Sequence, residues 1–183
     1  MSLNPRITEV VDTLEHSHGS LVDAILALPA DVRDAPAPDG RWSVAEHVEH
    51  LAIVEDGTGR LISKLIKGLA DAGATEAADA SDNETIASSM ERYQVWTTNR
   101  PIVAPDFVRP RGTVSATDAL AQLSTARARV VDAFRRASGL ALGSITAPHP
   151  VLGPLTVYQW GVFLAQHEQR HLTQIHRLVA EIG

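Results

Sequence analysis

The segment TVYQWGVFLAQHEQRHLTQIHRLVAEI, residues 156–182, carries the strongest secondary-structure signal in the chain. Its apolar side chains recur at intervals of three and four residues, which is the period of a helix with one buried face. That face carries, in order, Trp160, Leu164, His167, His171, Gln174 and Leu178. The pattern therefore predicts a long final helix with two histidines on its buried stripe.

Three other segments share this periodicity, and they predict long helices over about 5–28, 43–69 and 115–138. The second of these begins at Ser43, which forms a capping box with Glu46. Gly57 and Gly59 lie inside it and predict a kink or close packing. A shorter helix is expected over about 84–97. The remaining segments predict loops or extended connections without a strand pair, over residues 29–40, 71–82 and 100–112.

Four long helices and one short one predict an all-α four-helix bundle, with residues 1–183 forming a single domain. The chain has 16 basic and 22 acidic residues, giving a net charge of −6, so neither nucleic acid nor an anionic membrane is an expected partner. No apolar run has the length of a membrane span or signal peptide, and the expected location is the cytoplasm.

The chain contains no cysteine, so a metal site must use histidine or carboxylate ligands. His167 and His171 are four residues apart, which places both rings on one side of the final helix. His50 is in phase with the apolar stripe of the second helix and can face the same interior. Three imidazoles leave a coordination position open on an ion such as Zn²⁺. The spacing leaves open the alternative that these are core histidines without a metal.

Two segments resemble the DinB-like, or YfiT-like, family of bacterial helical-bundle metalloproteins. One is WSVAEHVEHL, residues 42–51, and the other is HPVLGPLT, residues 149–156, which continues through Trp160 into HEQRHLTQI at residues 167–175. The similarity of layout covers nearly the whole chain, but residues 71–112 match only loosely. The resemblance implies that His50, His167 and His171 bind one divalent metal ion. Zinc or nickel is expected, with iron and manganese as alternatives.

Residues 167–171 also match the HExxH signature of zinc proteases. A protease is not expected, because only twelve residues follow His171 and the extended signature fails at Gln174. Glu168 has two interpretations, a base near the metal or an exposed carboxylate paired with a neighbour such as Arg170, and the second is favoured. Gln174 is the better candidate for a hydrogen bond to a ligand.

The other histidines are not predicted to be ligands. His47 is expected to contact Trp42 or solvent. His149 lies in the loop before the last helix and could approach the mouth of the site, but an exposed loop residue is the favoured expectation. The residues expected at the surface or partly buried are His16, His18 and His176, and Arg127 is expected to be solvated.

The resemblance implies two chemistries, hydrolysis and the transfer of low-molecular-weight thiols such as mycothiol or bacillithiol. In both, water or a thiol activated by the metal is the nucleophile. Because the chain has no cysteine, the thiol would be a cosubstrate. The expected partner is a small molecule, and a homodimer through the first and third long helices is a further expectation. The alternative function is a non-enzymatic, stress-related bundle with a structural metal site. No catalytic residue is predicted.

Overall fold

The computed structural model describes residues 4–75, 85–97 and 103–182. Four long helices confirm the predicted all-α bundle: α1 (Pro5–Ala27), α3 (Val44–Asp71), α5 (Ala116–Arg136) and α6 (Val157–Ile182). Helices α1 and α3 each pack against both α5 and α6, so α1 lies diagonally opposite α3. None of the described helices combines the length and the apolar character that a membrane span requires.

The beginnings of the long helices follow the predicted capping residues. At α3, the Ser43 side chain accepts from the Glu46 amide at 3.1 Å, and the Glu46 carboxylate accepts from the Ser43 amide at 2.8 Å. Ser115 caps α5 by accepting from the amide of Asp118. These caps satisfy amides that the first turn of a helix leaves without partners. The cap at Ser43 therefore fixes the start of the helix that carries His50.

Close packing explains one of the two glycines, Gly57 and Gly59, that were predicted to kink α3 or pack closely. The helix runs unbroken from Val44 to Asp71, but a Cβ added to Gly59 would lie 2.9 Å from a methyl group of Val130. Gly161 on α6 is packed more tightly still, because an added Cβ would lie 2.5 Å from Val10 and 2.8 Å from Phe134. These two glycines let α5 approach α3, and let α1 and α5 approach α6.

The prediction that the chain has no strand pair was wrong. Strands β1 (Thr146–His149) and β2 (Gly153–Thr156) form an antiparallel hairpin that leads into α6. Each strand contains a proline, and Pro148 lies opposite Pro154. Proline is rare inside strands because it lacks a donor N–H, so it hides the strand signal.

The described residues also contain two short α-helices, α2 (Ala30–Arg33) and α4 (Ile86–Met90), and 3₁₀ turns at Pro38–Gly40 and Asp106–Val108. The predicted helix over about 84–97 is shorter in the structure. A 3₁₀ turn over Glu91–Tyr93 follows α4, and Gln94 then ends it in a left-handed conformation with φ of 48°. The predicted loop over 71–82 and the predicted connection over 100–112 lie partly outside the described residues.

The core consists of two apolar clusters at different levels of the bundle. One contains Leu14, Ile62, Val130 and Leu164, and the other contains Leu21, Leu51, Leu123 and Ile175. Between these levels every long helix contributes a buried polar residue: Ser17, Glu55, Arg127 and Glu168. A polar layer therefore crosses the centre of the core.

Candidate metal centre

The structure brings His50, His167 and His171 together. His50 lies in the second turn of α3, and the other two lie one turn apart on α6, which packs against α3. Each residue offers one ring nitrogen, and these atoms lie within 4.8 Å of one another. His50 and His171 are buried, whereas His167 is partly exposed. The three predicted ligands thus form one cluster, of which His167 is the partly exposed member.

The spacing of the ring nitrogens fits a divalent ion. His167 Nε2 lies 3.1 Å from His171 Nε2 and 3.4 Å from His50 Nε2. Two imidazole nitrogens bound at 2.0 to 2.1 Å to a tetrahedral zinc ion lie about 3.4 Å apart. Two of the three separations are close to that value, and all three nitrogens lie within 4.8 Å of one another, so the cluster can hold a metal ion.

A backbone carbonyl fixes the orientation of His50. Its Nδ1 donates to the carbonyl oxygen of Val108 at 2.7 Å, which leaves the lone pair of Nε2 directed away from that bond. Nearby, the Glu49 carboxylate accepts from the amide of Gly112 at 2.9 Å. Metal-binding histidines commonly donate their second N–H in this way. The segment around Val108 therefore holds the His50 ring in an orientation that suits metal binding.

His47 is a functional neighbour that the sequence prediction missed. Its Nδ1 lies 3.0 Å from Nδ1 of His171, so one of the two rings donates a hydrogen bond to the other. The predicted contact with Trp42 is also present, at 5.5 Å between ring centroids. Trp42 in turn lies 4.8 Å from His50 and stacks on His171 at 6.2 Å. His47 is one turn before His50, and this spacing was the available signal.

Burial keeps these imidazoles neutral, which is the form that binds metals. The pKa of His47 is lowered to about 4, mainly by desolvation and secondly by the nearby His50. Desolvation also lowers the pKa of His50, and it lowers those of His167 and His171 well below 6.5. The cluster is therefore uncharged at neutral pH and offers lone pairs.

His149 is not the exposed loop residue that the sequence predicted. It ends β1, is half-buried, and contacts Phe163 at 4.6 Å and Trp160 at 5.2 Å between ring centroids. Phe163 stacks on His167 at 5.4 Å. The hairpin thus places His149 one aromatic ring away from the candidate centre.

The predictions for Glu168 and Arg127 were wrong. Both side chains are buried, and Arg127 Nη2 lies 3.0 Å from Glu168 Oε2. Glu168 also accepts from Ser17 Oγ at 2.6 Å, and its other oxygen lies 2.9 Å from His18 Nδ1. Both oxygens of Glu168 are engaged by the polar layer, so neither the surface pairing nor the role of a protease base fits.

Of the remaining predictions, those for the outlying histidines are confirmed and that for Gln174 is not. His16 and His176 are exposed and His18 is partly buried, as expected. Gln174 is half-buried, and its Oε1 has no hydrogen-bond partner within the described part of the chain. The hydrogen bond to His171 that was expected of Gln174 comes from His47 instead.

The fold and this cluster define a four-helix-bundle protein with three histidines that can hold a metal ion. The family model of the DinB superfamily matches residues 13–175, so the chain belongs to that superfamily. It is 25% identical to the uncharacterized protein YuaE of Bacillus subtilis (strain 168) over 142 residues, which are 77% of this chain and 79% of YuaE. The fold is similar to the crystal structure of TT2238, a four-helix bundle protein, with a TM-score of 0.60 and 21% identity over 93% of this chain and 98% of that one.

Proposed function

We propose that the protein is a metal-dependent enzyme that holds one divalent ion, zinc or nickel, with His50, His167 and His171. The observation that carries the proposal is the convergence of their ring nitrogens, two of which lie 3.1 and 3.4 Å from His167 Nε2. When bound, the ion would act as a Lewis acid and increase the nucleophilicity of water or a thiol at neutral pH.

An enzyme is favoured over a structural site by the number of ligands and by their exposure. Structural zinc sites are closed by four protein ligands, and catalytic sites keep a position open. Within the described residues the cluster has three histidines, and His167 is partly exposed. A small molecule can therefore approach the cluster from the side of His167.

The surrounding residues support a preorganised centre. The carbonyl oxygen of Val108 accepts a hydrogen bond from His50 Nδ1, and His47 Nδ1 is hydrogen-bonded to His171 Nδ1. These two bonds fix the ring orientations of both proposed ligands. Trp42 covers the rings of His50 and His171, and Phe163 covers His167. These aromatic rings pack against the three imidazoles and restrict their movement.

The proposed substrate is a small electrophile, attacked either by water or by a low-molecular-weight thiol. The chain has no cysteine, so the thiol would come from a cosubstrate. The alternative is a non-enzymatic, stress-related bundle in which the metal only stabilises the fold. That alternative predicts a site without an exchangeable position and no turnover of either kind of substrate.

The first experiment is elemental analysis of the purified, untagged protein. We expect about one equivalent of metal in the parent, little in His50→Ala or His171→Ala, and parental content in the control His176→Ala, whose histidine is exposed. Absence of metal from the parent after incubation with zinc or nickel would contradict the proposal.

A second experiment separates the two chemistries. Zinc-loaded protein is tested for hydrolysis of p-nitrophenyl acetate and for conjugation of bacillithiol or mycothiol to chlorodinitrobenzene, with His171→Ala as the inactive control. Activity that depends on the added thiol supports transfer, and activity without it supports hydrolysis. No activity beyond that of His171→Ala would favour the structural alternative.

A further inference from the structure

The ring of His149 is held by its own hairpin. The backbone amides of Val151 and Leu152 both donate to His149 Nδ1, each at 3.1 Å. A nitrogen that accepts hydrogen bonds carries no proton, so in the neutral ring the proton is on Nε2. Burial lowers the pKa of His149 to about 4, and the ring is therefore neutral at neutral pH. The hairpin thus selects one tautomer, with a single N–H donor.

The ring of His149 is separated from the candidate metal centre by one aromatic side chain, Phe163. The His149 ring packs against Phe163, and Phe163 also stacks on the ring of His167. Trp160 on α6 also contacts the His149 ring, at 5.2 Å between ring centroids. Because Nδ1 faces the turn, Nε2 points away from it, and no hydrogen bond of Nε2 is found within the described residues.

We infer that the Nε2–H of His149 binds an acceptor oxygen of the substrate, such as a carbonyl, nitro or carboxylate oxygen, while the substrate occupies the open side of the three-histidine cluster. This inference rests on the proposed function and narrows its substrate class. A neutral N–H donor held by a rigid hairpin orients a polar substrate without adding charge. The preferred substrates are therefore electrophiles with an oxygen next to the reacting atom.

The competing explanation is that His149 only stabilises the turn. Asparagine can fulfil that function, because its side-chain oxygen accepts from amides two or three residues ahead in the same kind of turn. Glutamine, being longer, places an amide N–H near the position of the histidine Nε2 but loses the acceptor near the turn. The variants His149→Asn and His149→Gln therefore separate the two functions of the ring.

The test uses acetate as the probe and nuclear magnetic resonance of zinc-loaded protein with ¹⁵N-labelled histidine. The signals of His149 are those that disappear in His149→Asn. We expect the parent to show Nε2 protonated, and we expect this nitrogen to shift on titration with acetate. Acetate binding to each protein is also measured through the shifts of the Phe163 ring.

His149→Asn should keep the parental zinc content and melting temperature but bind acetate about fivefold more weakly, the loss expected for one hydrogen bond. His149→Gln should bind acetate more tightly than His149→Asn and should melt at a lower temperature than the parent. Equal acetate binding by His149→Asn and the parent, a proton on Nδ1, or no acetate binding by the parent would each overturn the inference. If the parent takes up no zinc, the proposed function is contradicted, and the inference, which rests on it, is contradicted too. The elemental analysis detects that outcome independently of acetate binding.

Discussion

Replacement of Arg127 by methionine tests the polar layer at the centre of the bundle. Arg127 Nε lies 2.7 Å from one oxygen of Glu55, and Nη2 lies 3.1 Å from the other. Nη2 also lies 3.0 Å from Glu168, and Nη1 donates to Ser17 at 3.2 Å. The side chains of Arg127, Glu55 and Glu168 are only 3%, 2% and 1% exposed. Arg127→Met therefore leaves two carboxylates in the core without their cation.

The expected cost at neutral pH is about 3 to 5 kcal/mol, the range measured when one partner of a buried ion pair is removed. This is a large fraction of the 5 to 15 kcal/mol that typically stabilises a domain. Burial raises the pKa of Glu55 above 4.5 even though Arg127 opposes the shift, and loss of Arg127 raises it further. A carboxylate with a raised pKa in the folded state destabilises the fold as pH rises from its unfolded value through its folded one. The deficit of Arg127→Met should therefore be smallest near pH 4.5 and larger at pH 7.

The assay is urea denaturation of the parent and of Arg127→Met across this pH range, followed by circular dichroism. The matched control is the variant in which Arg127→Met is combined with Glu55→Gln and Glu168→Gln, which removes the buried charges together. We expect this control to recover much of the lost stability, and it remains informative if the single variant fails to fold. A loss below about 1 kcal/mol, as for an exposed pair, or a loss that does not change with pH would refute the reasoning.

Three further predictions concern packing, titration and capping. Gly161→Ala should lower the free energy of unfolding by about 1 to 3 kcal/mol, because the added methyl group overpacks against Val10 and Phe134. The control Gly57→Ala should not destabilise the protein, because a Cβ at that position has no neighbouring atom within 4 Å. Urea denaturation of both variants checks this prediction. Because the pKa of His149 is lowered to about 4 in the folded state, the unfolded chain binds its proton more readily, and stability is lost as pH falls from 6.5 towards 4. Allowing for partial exposure, His149→Asn should reduce this loss by about 2 kcal/mol in melts at both pH values, and an unchanged pH profile would contradict the shift. Ser43→Ala should lower the free energy of unfolding by about 1 kcal/mol and weaken zinc binding, because the cap fixes the first turns of α3 before His50. Zinc affinity is measured with a competing chelator, and Ser63→Ala, at an exposed position, is the control.

The bundle and the candidate ligands were predictable because their signals are local. The stripe of α6, the capping box at Ser43 and the four-residue spacing of His167 and His171 depend on residues close in sequence. His50 is in phase with the apolar stripe of its own helix, and the resemblance to a family supported it as the third ligand. The local signals thus identified the helices and the three histidines that lie together in the structure.

The polar layer was missed because each of its members, taken alone, is typical of a solvated residue. Arg127 lies between Leu123 and Val130 on the buried stripe of α5, and that position was the available signal. Only the pairing with Glu55 and Glu168, on two other helices, makes its burial favourable. The hairpin was missed for a different reason, because Pro148 and Pro154 disguise both strands. Long-range partners of this kind are not encoded in the periodicity of one segment.

The most direct test of the central claim, a three-histidine metal centre with an open position, is X-ray absorption spectroscopy of the zinc-loaded protein. We predict three imidazole nitrogens at about 2.0 to 2.1 Å and at least one exchangeable oxygen ligand, with the imidazole signal reduced in His50→Ala. The variant His176→Ala should give the parental spectrum. A spectrum without imidazole scattering, or one in which four protein ligands close the site, would contradict the account.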